Sequence, residues 1–363
     1  MRNGLALLAL CLALLVAPAA SAQTSDRRGV DPDAPNPLLG ESWYVNKAPH
    51  PAWLQYQRYR RQGKRHRAKL MWEVAGRPKF QWFGRFSRME WVRDHIADAE
   101  REGAVPLIAV LRHQGDGCGG DYDGGGPSED AASREWYRAF AQTVGSHRVV
   151  IAFEPDSLGT INCLGPSWRQ NRLDLLRYGV DVLSALPNAT VYLEAGASDW
   201  EPAHRTAEQL RYIGIHKVRG FMLNVTHYDW TKANVRHGLK ISRRVGGKPF
   251  IVNTAANGRG PVHWRNTRRR VMNVWCHPLK RGLGIPPTTA TGHPLVDAYM
   301  WIGRPGYSGG SCNGGPLPVG AWWPARALML AKYSTTWISP PRGTRFGLFR
   351  RHSLREVAGD GYL

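Results

Sequence analysis

VVIAFEPDSLG, residues 149–159, is the stretch on which the reading of this chain turns. Val149–Phe153 is an unbroken apolar run of strand length, the pattern of a strand covered on both faces. It runs straight into Glu154-Pro155-Asp156, where the proline ends the ladder by withholding an N–H. Asp156 is thereby expected at a strand terminus beside an apolar wall. Burial disfavours a charged carboxylate and can hold its proton near neutral pH. A general acid that protonates a leaving oxygen needs that property. A carboxylate that caps the following loop would carry the same three residues, so E-P-D alone leaves both roles open.

Outward from this stretch the chain repeats one order. Short apolar runs lie at Phe80–Phe83, Pro106–Leu111, Val149–Phe153, Val191–Leu193, Phe221–Val225, Phe250–Val252 and Ala298–Ile302. Amphipathic stretches separate many of them: Met89–Glu102, Arg134–Val144, Trp168–Leu186, Ala203–Ile213 and Thr231–Val245. Strands alternating with helices of this length predict parallel βαβ units. The fold class is therefore α/β: a single domain built as a distorted, TIM-like parallel β/α barrel of about seven strands. The Gly/Pro-rich sequence of 257–320 is expected to form long loops. In such barrels the site lies at the carboxyl ends of the strands. Those ends carry Asp116, Asp156, Glu194, Asn224, His227, Asn253 and then the Tyr307 loop, an acidic and amide-rich face in a basic protein.

The chain opens with Arg2, an apolar run from Leu5 to Val16, and the small residues Ala20, Ser21 and Ala22. That is a secretory signal pattern, with cleavage expected after Ala22 and residues 1–22 removed. The run is shorter than the roughly 20 residues a spanning helix needs, and no membrane span is expected. Residues 23–37 read as a polar, Pro-rich linker, 38–341 as the catalytic domain and 342–363 as a C-terminal tail. After Cys11 leaves with the signal, Cys118, Cys163, Cys276 and Cys312 remain, an even number that in an exported chain reads as two disulfides with three possible pairings. None of the four forms a C-x-x-C pair, so no metal and no cofactor is expected.

With 49 Lys+Arg against 28 Asp+Glu, the formal charge is +21. Removing a signal that holds Arg2 and no acid leaves 21 − 1 = +20. Arg58, Arg60, Arg61, Lys64, Arg65, Arg67 and Lys69 form one basic cluster and Arg265, Arg268, Arg269 and Arg270 another. Such charge favours anionic polymers or surfaces, and a solvated basic face would look the same.

Many ordered motifs together resemble glycoside hydrolase family 6, the cellobiohydrolases and endoglucanases that cut β-1,4-glucan with inversion. The resemblance runs from about Asn36 to Pro340. It begins at NPLLGESWYVN and continues through KFQWFG, PLIAVL and GCGGDYDGGG. EPDSLG, YLEAGASDW, LNVTHYDW, NGRGP, NVWCHP, TTATGHPLVDAYMWI and RPG follow in the family's order. The resemblance implies that Asp156 is the proton donor and that Cys118 pairs with Cys163 and Cys276 with Cys312. It implies that Trp200 and Trp275 stack on glucosyl rings, an indole face suiting the C–H face of a β-linked sugar. Asn224 and Trp230 align with further cleft residues. Trp43 in the opening motif, Glu194 and Tyr307 complete the expected substrate-binding set.

Several family positions differ. Gly117 stands where the family has its second catalytic aspartate, and Asp116 comes one residue earlier. Leu111 replaces a tyrosine, Glu194 the aspartate of DAGH, and Ala197 its histidine. Gly303, Tyr307 and Gly309 stand in a late loop where the family places lysine, glutamate and aspartate. Inverting hydrolysis needs an acid on the glycosidic oxygen and a means of activating water on the opposite face. Asp156 is assigned the first role and Asp116 is its expected partner. Asp121, Asp123 and Glu194 are other candidates for the water's proton.

The function expected is a secreted, monomeric inverting hydrolase of β-1,4-glucan or a related polysaccharide, with some preference for anionic chains. Two other classes fit the sequence: a non-catalytic glycan-binding protein on this scaffold, and a basic adhesin. Export argues against nucleic acid as a partner. No glycine-rich phosphate loop before a helix, and no G-x-S-x-G set as a nucleophile elbow between a strand and a helix, is found.

Overall fold

A computed structural model describes residues 34–47, 49–113, 127–262 and 274–334. Asp116, Gly117, Cys118, Asp121, Asp123, the second arginine cluster, the signal segment and the C-terminal tail lie outside the described residues, as does most of the linker.

Seven strands form one parallel sheet in sequence order: β1 (Gln81–Gly84), β2 (Leu107–Leu111), β3 (Val149–Phe153), β4 (Ala189–Glu194), β5 (Gly220–Leu223), β6 (Phe250–Asn253) and β7 (Val296–Met300). Helices α3 (Met89–Arg101), α4 (Pro127–Val144), α5 (Pro166–Leu183), α6 (Ala203–Ile213) and α7 (Thr231–Ser242) form the crossovers, so the expected barrel-like α/β architecture is present. On α3 the buried residues Val92, His95, Ile96 and Ala99 recur at helical spacing and face the sheet. Proline at the first turn starts α5, and Gly214 at φ 96° ends α6 in the left-handed conformation that glycine adopts without a Cβ penalty.

Three helices differ from the sequence expectation. The basic stretch read as a charge run folds into α1 (Pro51–Arg61) and α2 (Arg65–Ala75), and α8 (Pro324–Lys332) packs against α2. The arginines occupy one face, while Ala52, Tyr56, Tyr59, Ala68, Met71 and Val74 on the other are buried against Trp301, Ala327 and Leu330. β7 also starts and ends two residues earlier than expected. Trp301 and Ile302 leave the ladder and run beside β1 instead: Phe80 N donates to Trp301 O (3.0 Å) and the Trp82 indole to Ile302 O (2.8 Å). These bonds close the seam between the edge strands.

The core has two main layers. Side chains such as Leu107, Ala109, Ala152, Tyr192, Met222, Ile251 and Met300 fill the inside of the curled sheet, and a larger cluster lies between the sheet and the outer helices. At the amino-terminal end of the strands Arg219 grips Asp297 with two bonds of 2.9 Å, and the Tyr192 hydroxyl adds a third at 2.7 Å. Those groups are spent on holding the strands together, and the opposite end is left for chemistry.

Candidate active site

Buried polar groups fix several of the strand ends at the mouth. Glu154 is fully buried and accepts from the Arg112 and His113 backbone N–H groups, the Tyr137 hydroxyl (2.6 Å) and the His113 ring (2.6 Å). Burial pushes its pKa up, but these donors outweigh it and hold the carboxyl below its usual value. Glu154 therefore stays charged and ties the end of β2, where the segment carrying Asp116 departs, to the end of β3. Asn253 does the same between β5 and β7: its amide donates to Asn224 O and Val225 O and accepts from the N–H groups of Ile302 and Gly303.

Glu154, Asp156 and Asn224 have φ of 54°, 70° and 69°. Left-handed backbone is costly for residues with a Cβ and persists only where the surroundings impose it. At residue 156 it turns the side chain out of the strand path, leaving Asp156 partly exposed while its neighbours on either side are buried. The exposed Thr226 hydroxyl donates to Asp156 Oδ1 at 2.6 Å.

Glu194, at the end of β4, is buried under the same turn. One of its oxygens accepts from Leu158 N (2.7 Å) and Gly159 N (3.1 Å), and the other from Gly196 N. Burial and the neighbouring Asp156 carboxylate push its pKa to about 8, against the pull of those three amides. Asp156 and Glu194 thus form a coupled carboxyl pair in which one proton is retained near neutral pH. Glu194 is poorly placed to take a proton from water, being buried and occupied on both oxygens by backbone amides.

Of the aromatic residues, Trp275 is 50% exposed at the rim, beside the Cys276–Cys312 disulfide. Trp200 is enclosed. One face lies on Gly159, where a Cβ would come within 2.6 Å of the ring, and His227 stacks on it at 4.2 Å with planes 12° apart. His227 also meets Trp275 at 4.9 Å and bonds Asp199 through Nδ1 at 2.8 Å. The mouth therefore brings together Asp156, Glu194, Trp200, Trp275 and His227. Trp230, at the start of α7, is 51% exposed and lies over Gly260.

Three predicted site residues are held in contacts of their own. Trp43 bridges Val105, before β2 begins, so it lies at the amino-terminal end of the sheet, away from the mouth. Asn224 is fully buried and donates to Asn253 O and Asp229 O, so it braces strand ends. Tyr307 packs on Trp322 and lies 3.4 Å from His50 through its hydroxyl, which burial pushes up to about 12. Conversely, the sequence reading gave no role to Thr226 or Glu154. The spacing of Thr226 and His227 after a strand end was their only signal.

Cys276–Cys312 is present with Cα atoms 5.9 Å apart, and Cys163 is also disulfide-bonded, its expected partner Cys118 lying outside the described residues. Cys276, His277 and Cys312 cluster within metal-ligand range, but the two sulfurs are bonded to each other and cannot act as thiolates. His277 instead pins the late loop, accepting from Gly309 N at 2.6 Å.

The family model for glycosyl hydrolases family 6 matches residues 38–334. The chain belongs to that family. Among curated family 6 relatives it is 32% identical over 268 residues to endoglucanase A of Cellulomonas fimi, covering 72% of this chain and 56% of that protein. It is 30% identical over 251 residues to endoglucanase 1 of Streptomyces halstedii, covering 67% and 74%. The chain thus spans little more than half the length of the first of these relatives. Among solved structures it resembles the endoglucanase Cel6 from Mycobacterium tuberculosis in complex with methyl-cellobiosyl-4-deoxy-4-thio-β-D-cellobioside, with a TM-score of 0.72 and 33% identity over 82% of this chain and 99% of that one. The family 6 fold extends to the endoglucanase CEL6B from Humicola insolens, at TM-score 0.69 and 21% identity over 82% and 98%. Among the described residues no helix is long and apolar enough to cross a membrane.

Proposed function

We propose that this family 6 chain is an exported, inverting hydrolase of β-1,4-glucan or a closely related polysaccharide, with Asp156 as general acid. The observation that carries the reading is the Asp156–Glu194 pair at the mouth: a partly exposed carboxyl held on a left-handed turn beside a buried carboxyl, the two sharing one proton near neutral pH. In the proposed reaction Asp156 delivers its proton to the glycosidic oxygen as the C–O bond breaks. Water attacks the opposite face of the sugar ring, inverting the anomeric centre. Asp116 is assigned the role of receiving the water's proton. Glu154 supports this assignment, since it anchors Arg112 and His113, three residues before Asp116, to the strand that carries Asp156. Trp275 is the proposed sugar platform. Trp200 can stack on a sugar only when His227 moves off its face.

The substrate class is supported by relatives named endoglucanases and by the thio-oligosaccharide in the Mycobacterium tuberculosis structure. Export is supported by the signal-like opening and by the disulfide, which persists in oxidising compartments. Following the first products of cello-oligosaccharide cleavage by proton NMR tests the reading. New reducing ends that appear first as the α-anomer are expected. β-Anomers would exclude inversion, and no new reducing ends on any β-1,4-glucan would leave a binding protein on a hydrolase scaffold.

A further inference from the structure

The chain leaves β7 at Met300, crosses the seam beside β1 and delivers Arg304 to the cleft side of that seam. The Arg304 guanidinium lies 4.6 Å from the Trp82 ring centroid and 5.0 Å from that of Tyr307. Both ring contacts hold a cation without using its N–H donors. Three other enclosed arginines spend those donors within the protein: Arg77 on Glu73, Arg219 on Asp297, and Arg326 on Pro278 O and the Tyr228 hydroxyl. Among the described residues, the Arg304 guanidinium has no carboxylate or hydrogen-bond partner. Its tip lies beside Gly320, whose added Cβ would be 3.7 Å from both terminal nitrogens, and the same loop exposes Leu317 and Val319.

The neighbouring positions explain why the cation is unmatched. Gly303 stands where the family resemblance places a lysine, and a Cβ there would come within 2.7 Å of Val225 O. No side chain fits at 303 without a shift of that backbone. Tyr307 stands where the resemblance places a glutamate, and its ring packs on the guanidinium instead of offering a counter-charge. This end of the cleft therefore carries a positioned positive charge and five N–H donors with nothing acidic among the described residues to receive them.

We propose that Arg304 is a specificity-determining residue that receives a carboxylate borne by the substrate, so that this end of the cleft takes a hexuronosyl unit of a β-linked chain. A guanidinium presents paired N–H donors that match the two oxygens of a carboxylate, and partial removal from water strengthens the pair. The inference rests on the glucan reading above and names the substituent that reading leaves open.

Isothermal titration separates the two. The titrant is either cellotetraose or the same oligosaccharide oxidised at C6 to glucuronosyl units. The protein carries Asp156→Asn to prevent consumption of the ligand, alone or with Arg304→Met or Arg304→Lys. The parent is expected to bind the oxidised ligand about ten- to a hundredfold more tightly. Arg304→Met is expected to abolish that preference while leaving cellotetraose binding within about threefold, and Arg304→Lys to retain part of it. If Arg304→Met does not fold, the loss of preference in Arg304→Lys decides. Binding of cellotetraose with no preference for the oxidised ligand, or a preference that survives both substitutions, overturns the inference and leaves the glucan reading standing. Binding of neither ligand overturns both.

Discussion

Asp156 and Glu194 are the same functional group in two environments, and the difference assigns their roles. Asp156 is partly exposed and accepts from the Thr226 hydroxyl, whereas Glu194 is buried and accepts from three backbone amides. The pair keeps one proton below about pH 8 and loses it as pH rises through that value, so acid catalysis should fall on the alkaline side. Thr226 donates to Asp156 and so favours its ionised form. Thr226→Val should hold the proton more tightly and move the alkaline limb of kcat to higher pH by up to about one unit. A limb that stays in place or moves to lower pH would exclude Thr226 as a modulator of the pair. Trp275→Ala should weaken cello-oligosaccharide binding by about 1–3 kcal/mol, as truncation of an aromatic platform does elsewhere. Because that ring is half exposed, the melting temperature should hardly change. The converse, lost stability with intact binding, would make it a packing residue. Asp156 and Trp275 were legible in the sequence. The positive φ at 154, 156 and 224 and the covering of Trp200 by His227 were not, since both depend on how residues from different strands meet.

The crossover helices were legible because each carries a single apolar face at regular spacing. α1 and α2 were not, since seven basic residues between 58 and 69 dominate a sequence whose apolar positions are spread over two short helices. α5 shows what the elements must do to hold the site. It packs on β3, the strand that ends in Glu154 and Asp156, and touches it through Gly179, where a Cβ would come within 2.4 Å of the Phe153 ring. Gly179→Ala should force the helix off the strand. The overpacking is expected to destabilise the protein by about 1–3 kcal/mol, outweighing the gain in helix propensity. Chemical denaturation measures this directly, and an equal or raised stability would show that Phe153 can move aside.

For the molecule as a whole, strand order in space repeats strand order in sequence, which is why alternation alone revealed the architecture. Closure of the seam was not legible, because Phe80 and Trp301 are far apart in the chain and their bond depends on where β7 ends. The charge of +21 was obvious from composition, yet composition could not say that Arg304 sits on the Trp82 and Tyr307 rings with no acid beside it among the described residues. The central claim remains that a single carboxyl, Asp156, protonates the leaving oxygen. It is tested by Asp156→Ala on two β-glucosidic substrates, a plain cello-oligosaccharide and a cellobioside with an activated dinitrophenyl leaving group. Loss of a positioned acid should lower kcat on the plain substrate by about 10²–10⁴-fold and on the activated one far less. An equal loss on both would contradict the assignment.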